Sequence, residues 1–561
     1  MDANGLAEMA YVMPQTATNV ILPFLLGVSM HHGVFIHGEW HNYAPSIVVG
    51  HFSFLFVLLA FRIVRGSGVV SQIVVETAVS TSIYFLGLFL SIAVYRLFFH
   101  RLRAFPGSRL ASLSKLWHVW MCRTSKGHRV LQAWQQEYGS IVRTGPNEIT
   151  LFHPAAFEFL DGIKNENTRS DWHDMLHPRS GAIFTRDKNA HKARKRVWES
   201  ALGSGALPHH YESLKRHVRV LESMVSEYGE TPVVVNDLLH WFAFDSMGDY
   251  GFGQDFGLMR ERKWSRAATN LHSSLSVLGY LSPAIWVCIL AFFFMPGLWK
   301  VKHWFQMIEF GDNCVEKRKK EQLSGHVDIV SAFIRDHEKH GEDEIHNPDM
   351  TLSGEAAVLL VSASETIAPT LITLLYFLAR HPEHAAKIQK ELEGVDTTDP
   401  QALSVLPHLT GTINEGMRLL PAAMSCNPGS RVSPPQGLNI DGTFIPGGVK
   451  LCASRYSIGR LEMAFEEPES FIPERWYSRP ELVKDRRAFV PFGVGRTSCV
   501  GRNVALAALR LVTACFLSKY HIRFAPGEGI PEAVERDLKD GVVSQPGKLV
   551  LIFKSRTSAP D

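Results

Sequence analysis

Long uncharged stretches crowd the first hundred residues, and a charge-dotted remainder follows. No Asp, Glu, Lys or Arg occurs from Met9 to Gly38, from Trp40 to Phe61, or from Thr77 to Tyr95. A membrane span takes about 20 mostly apolar residues. The third run, TAVSTSIYFLGLFLSIAVY, and the second, ending FSFLFVLLAF, meet that need. The first is interrupted by His31 and His32, although ILPFLLGVSM within it is apolar. Residues 1–104 are therefore expected to form a membrane region of two to three transmembrane helices. A cleavable leader is not expected, because no basic segment precedes the apolar material. Arg96, Arg101 and Arg103 follow the third run, which directs the rest of the chain to the cytosol. Three spans would put the acidic start, Asp2 and Glu8, on the far side, and against the charge rule Arg62 and Arg65 with it.

Residues 105–561 read as one large, mainly helical body. Phe105-Pro106-Gly107 breaks the chain after the last run. SIVRTGPNEITLF, residues 140–152, predicts a hairpin around Gly145-Pro146, and short strands are expected in 438–451 and at KLVLIFK near the end. Helical periodicity dominates between Thr351 and Glu393. A further uncharged run, Ala267 to Trp299, carries Pro283 and Pro296. It suits either a pair of core helices or an apolar surface that dips into a bilayer.

Charge and cysteine usage narrow the classes. With 58 basic and 55 acidic residues the net charge is +3, which does not point to nucleic acid. Seven Cys, an odd number without paired spacing, argue against a disulfide framework and for reduced thiols.

One of these thiols stands apart. In AFVPFGVGRTSCVGRNVALAALR, residues 488–510, a Gly-rich loop brings Cys499 to the start of an apolar helix. Gly493, Gly495 and Gly501 allow tight backbone geometry and the approach of a flat ligand. A thiolate at a helix N-terminus gains from the helix dipole and free N–H groups, which suits a metal ligand. The loop FGVGRTSCVG resembles the haem-binding loop of the cytochrome P450 family, Phe-x-x-Gly-x-Arg-x-Cys-x-Gly, at Phe492, Gly495, Cys499 and Gly501. The resemblance implies haem b (iron protoporphyrin IX) with Cys499 as axial thiolate. Thr497 holds the position of the pattern's Arg, which usually pairs with a haem propionate, and the neighbouring Arg496 is expected to supply that charge.

Further motifs follow in the family's order. Glu415 and Arg418 in TINEGMRLLP lie on one helical face. With Arg475 of FIPERW they resemble the family's buried Glu-x-x-Arg network, a structural element with no chemistry of its own. Glu365-Thr366 interrupts the apolar EAAVLLVSASETIAPTL, which also contains Pro369. It resembles the distal acid–alcohol pair, with Ser362, Ala363 and Ile367 departing from the pattern. That match implies that Thr366 helps hold dioxygen and ordered water while Glu365 relays protons. His191 and Lys195 in HKARKRVW, four apart, and Arg431 in GSRVSP resemble propionate-binding positions.

The resemblance covers roughly residues 105–555 and is fungal in detail; HHGVFIHGEW resembles the group around tryprostatin B hydroxylase. It implies a mainly α cytochrome P450 fold with small β-sheets. It also implies a monooxygenase of the endoplasmic reticulum membrane, body in the cytosol, that inserts one atom of O2 into a small hydrophobic molecule of secondary metabolism. The body shows no dinucleotide or flavin fingerprint. Electrons are therefore expected from NADPH through a separate NADPH–cytochrome P450 reductase, with cytochrome b5 as a second donor, docking near Arg496 and Arg502. Two rivals are a same-fold enzyme that isomerises or dehydrates without O2, and a non-catalytic membrane binding protein. Substrate contacts are expected before Glu365, at Pro421–Ser425 and around Val543–Gln545, segments that admit a terpenoid or prenylated alkaloid.

Overall fold

The computed structural model describes residues 17–66, 69–321, 327–340, 348–425, 429–527 and 530–556; Asp2, Glu8 and Cys426 lie outside them. Near the N-terminus stand α1 (Leu22–Met30), continued by a π-helical turn over His31–Phe35, then α2 (Ala44–Arg65) and α3 (Val70–Val94). At 1.5 Å per residue the 22 residues of α2 and the 25 of α3 exceed the roughly 30 Å of a hydrocarbon core. Little protein covers them: Phe56 is 74% and Val64 85% exposed. Both helices are long and apolar enough to cross a membrane, whereas the apolar helix over Asn19–Phe35 is shorter.

Two glycines let α1 and α3 cross in close contact. A Cβ on Gly27 would lie 2.2 Å from the Tyr84 carbonyl oxygen, and one on Gly87 2.3 Å from that of Phe24. Such small-residue crossings are how apolar helices associate where no hydrophobic effect drives them together. Next to the crossing, His31 Nδ1 lies 2.8 Å from Ser91 Oγ. The loop after α1 reaches the body, where Glu39 pairs with Arg186 and His41 Nε2 lies 2.8 Å from Asp174 Oδ2.

The body's main sheet holds β1 (Ile141–Gly145), β2 (Glu148–Leu151), β3 (Thr168–Arg169), β4 (Arg431–Val432) and β5 (Lys450–Ala453) in the order β1-β2-β5-β4-β3. Only the β2–β5 pair is parallel. The β1–β2 hairpin is the one the Gly145-Pro146 turn predicts. A smaller sheet joins Val233–Val234, Val550–Ser555 and Tyr520–Phe524.

The helices that frame the site are α4 (Lys188–Ala201), α5 (Leu207–Tyr228), α6 (Val235–Met247), α7 (Arg266–Leu281), α8 (Ile285–Phe294), α9 (Val301–Lys320), α10 (Pro348–Ser364), α11 (Ile367–Arg380), α12 (Pro407–Leu419) and α13 (Arg502–Lys519). Asp349–Arg380 is also apolar enough to span a membrane, but most of it is buried inside the body. All of α11 from Ile367 to Leu378 is buried, packed against α6, α12 and α13.

Between α10 and α11 the helix opens at Glu365-Thr366. Pro369 explains the position: it has no N–H to offer the Glu365 carbonyl, and its ring crowds that oxygen. Side-chain hydroxyls occupy neighbouring carbonyls instead, Thr366 Oγ1 donating to Ser362 O at 2.7 Å and Thr370 Oγ1 to Thr366 O at 2.7 Å. The uncharged run 267–299 divides its roles. Most of α7's apolar residues are in the core, while α8 buries Ile285, Cys288 and Ala291, exposes Phe293 and Phe294, and packs against α2.

Candidate active site

The Cys499 loop is built from glycine geometry. Gly493 and Gly495 have φ of +70° and +64°, in the left-handed region that L side chains avoid. A Cβ on Gly495 would sit 2.0 Å from the Asp161 carbonyl oxygen. The loop closes where Cys499 N donates to Phe492 O at 2.8 Å. Among the described cysteines, Cys499 alone is exposed. Desolvation by surrounding protein pushes its thiol up. The N–H groups of Gly501 and Arg502 and the charges of Arg502 and Lys195 act in the opposite sense. Arg502 also lies over the Phe492 ring.

Basic side chains converge on this loop from two directions. From α4, Lys195 Nζ donates to Arg496 O at 2.8 Å, and His191 Nε2 lies 3.5 Å from the same oxygen. From β4, Arg431 makes a two-pronged pair with Asp161 at 2.7 and 3.0 Å and donates to Thr497 Oγ1 at 3.2 Å. The charge beside Thr497 is thus that of Arg431, whereas the Arg496 guanidinium turns away and donates to Asn165 O at 2.9 Å. Arg169 stands opposite Arg431 in the β3–β4 register, a further cation that sequence motifs did not single out.

At the helix opening, Glu365 is 2% exposed and its Oε2 lies 3.2 Å from His272 Nδ1 of α7. Burial works against its charged form, but the hydrogen bond from His272 and the electrostatic influence of the two neighbouring imidazoles, His272 and His240, outweigh it and hold the carboxyl below its ordinary value. Neither histidine belongs to a motif, and no local pattern pointed to them. Two of the three segments expected to meet substrate, Pro421–Ser425 and Val543–Gln545, touch one another. Ser544 N donates to Ala422 O at 2.7 Å, and Gln545 Nε2 donates to His272 O at 3.2 Å.

Glu415, Arg418 and Arg475 form a dry network, each side chain fully buried. The carboxylate accepts from Arg418 Nε and Nη2 at 2.9 and 2.8 Å and from Arg475 Nε at 2.9 Å. Trp476 Nε1 and Ile472 N complete it, both at 3.0 Å.

A family model described as Cytochrome P450 matches residues 110–553, and the chain belongs to that family. It is 34% identical over 454 residues to cytochrome P450 monooxygenase sthD of Phaeosphaeria nodorum, covering 79% of this chain and 93% of that protein. It is 33% identical to cytochrome P450 monooxygenase phqL of Penicillium fellutanum, with 98% of each chain covered. Tryprostatin B 6-hydroxylase of Neosartorya fischeri is 30% identical, with 90% of this chain and 92% of that one covered. The crystal structure of the cytochrome P450DA heme domain shares the fold, with a TM-score of 0.62 at 16% identity over 77% of this chain and 92% of that chain. The chain is a cytochrome P450 monooxygenase, and membership implies haem-thiolate iron. The residues present fit that group: one exposed free thiol facing two helix N–H groups, with Lys195, Arg431 and His191 around its loop.

Proposed function

We propose that the protein is a membrane-anchored haem-thiolate monooxygenase that inserts one oxygen atom of O2 into a small apolar terpenoid or prenylated alkaloid in secondary metabolism. The observation that carries this reading is Cys499, exposed at the head of α13 with the N–H groups of Gly501 and Arg502 directed at its sulfur. These donors stabilise a thiolate, and Cys499 would hold the iron. Lys195, His191 and Arg431 would hold the propionates, with Asp161 and Thr497 fixing Arg431 in place. The bound haem supplies the activation of dioxygen.

The chain's own contribution on the distal side is proton handling. Thr366 Oγ1 donates to Ser362 O and keeps its lone pairs for a hydrogen bond from water. Glu365 takes up a proton on its carboxylate and passes it on through Thr366 Oγ1. Retention of this acid–alcohol pair favours oxygen insertion over isomerisation or dehydration without O2. The electrons come from NADPH through a separate reductase docked near Arg496 and Arg502, with cytochrome b5 as a second donor. α2 and α3 anchor the body to the endoplasmic reticulum on its cytosolic side, and exposed Phe293 and Phe294 of α8, which packs against α2, rest in the same bilayer.

The test is the absorption spectrum of the reduced, carbon monoxide-bound protein, read beside product formation with added reductase. Cys499→Ala is expected to lose the thiolate-type Soret band. Thr366→Ala is expected to keep the band while electron use runs ahead of product. A Cys499→Ala protein that retains the band overturns the ligand assignment, and unchanged coupling in Thr366→Ala overturns the proton role.

A further inference from the structure

At the helix opening, His240 of α6, His272 of α7 and Glu365 stand so that one ligand atom from each lies within 4.8 Å of the other two. His272 Nδ1 and Glu365 Oε2 are 3.2 Å apart. Two ligands of a tetrahedral zinc ion, each at about 2.0–2.2 Å, are about 3.3 Å apart. That pair already has the spacing, the cation taking the place of the hydrogen that His272 Nδ1 now shares with Glu365 and that passes to solvent, and His240 has to close by at most about 1.5 Å from the 4.8 Å limit.

His240 carries the second, independent observation. Its side chain is buried, its residue 8% exposed, and its Nε2 has no hydrogen-bond partner. Its other nitrogen is committed: Nδ1 lies 2.7 Å from Asn236 O. A carbonyl can only accept, so Nδ1 carries the hydrogen and Nε2 presents a bare lone pair, the tautomer that binds metals. Asn236 is itself fixed, Nδ2 donating to Gly547 O at 3.1 Å and Oδ1 accepting from Leu549 N at 2.7 Å. The two imidazoles stand edge to face, ring centroids 5.4 Å apart, so their nitrogens do not lie in one plane. His272 is the open member, with 35% of its side chain exposed, which leaves a way in and a free fourth position for water.

We propose that His240, His272 and Glu365 form a site for a zinc-class divalent transition cation, and that its occupation blocks proton passage through Glu365. Two imidazoles and one carboxylate select zinc and its neighbours over magnesium or calcium, which take oxygen ligands. The blocking step rests on the relay role proposed for Glu365; the site itself does not.

The experiment dialyses the full-length holoenzyme against zinc chloride, with magnesium chloride as control, and measures retained metal and product formation. The parent is expected to retain one zinc and no magnesium at this site and to lose turnover as zinc is added. His240→Gln and His272→Gln, each checked for an intact carbon monoxide band, are expected to weaken zinc binding beyond the roughly 10–100-fold cost of losing an outer-shell partner. Turnover of His272→Gln is expected to be insensitive to zinc. A parent that retains no zinc, or variants that retain as much as the parent, overturn the site. Zinc bound at the site with product formation unchanged overturns the blocking step, and the relay role of Glu365 with it, while the thiolate reading is tested separately by the Soret band.

Discussion

Removal of the Glu415 charge gives a direct measure of what the buried network contributes. The carboxylate accepts five hydrogen bonds, three of them from two guanidiniums with no exposed surface. In Glu415→Gln both cations stay where they are, because backbone carbonyls hold them. Arg418 donates to Gly459 O and Pro468 O, both at 2.6 Å, and Arg475 donates to Glu466 O at 2.9 Å. The variant therefore leaves two cations buried without an anion, and breaking such a pair costs about 3–5 kcal/mol. For residues 110–553, about 2.1 cal/mol/K per residue gives an unfolding entropy of about 0.9 kcal/mol/K. The expected fall in melting temperature is thus about 3–5 °C, followed by helical circular dichroism together with the Soret band. The exposed pair Arg260–Asp255 serves as control, and Asp255→Asn is expected to leave the melt unchanged. A Glu415→Gln protein that melts within about 1 °C of the parent refutes the reasoning.

Two further outcomes follow from other parts of the molecule. Burial pushes Glu355 up to about 7 from an ordinary 4.5, although Trp198 Nε1 and Ala182 N donate to it. Its folded value is the higher one, so its contribution favours the fold below about 4.5 and is lost as pH rises through about 7. Glu355→Gln should therefore gain stability relative to the parent between pH 4.5 and 8, by roughly 3 kcal/mol, and a constant difference between the two melting curves across that range argues against the assignment. At the α1–α3 crossing, Gly87→Leu cannot fit beside the Phe24 carbonyl, 2.3 Å from where a Cβ would stand. Cross-linking between His31→Cys and Ser91→Cys is expected to fall several-fold with Gly87→Leu, and an undiminished yield would show that the helices do not meet there.

Much of this molecule is written locally. Uncharged runs mark α2 and α3 because hydropathy is a property of consecutive residues. The Cys499 loop is legible because left-handed backbone demands glycine, here Gly493 and Gly495. Pro369 opens the helix at Glu365-Thr366 by what it lacks, and Glu415 meets Arg418 because residues three apart share a helical face. The tertiary structure alone decided which distant groups meet. Arg431 finds Asp161 across 270 residues, Arg496 is drawn to a carbonyl 331 residues away, and His272 reaches Glu365 across 93. None of these partners leaves a periodic trace, since a side chain's partner depends on which helices and strands pack together. The acid expected to relay protons was visible in the sequence, but the two histidines that stand beside it were not.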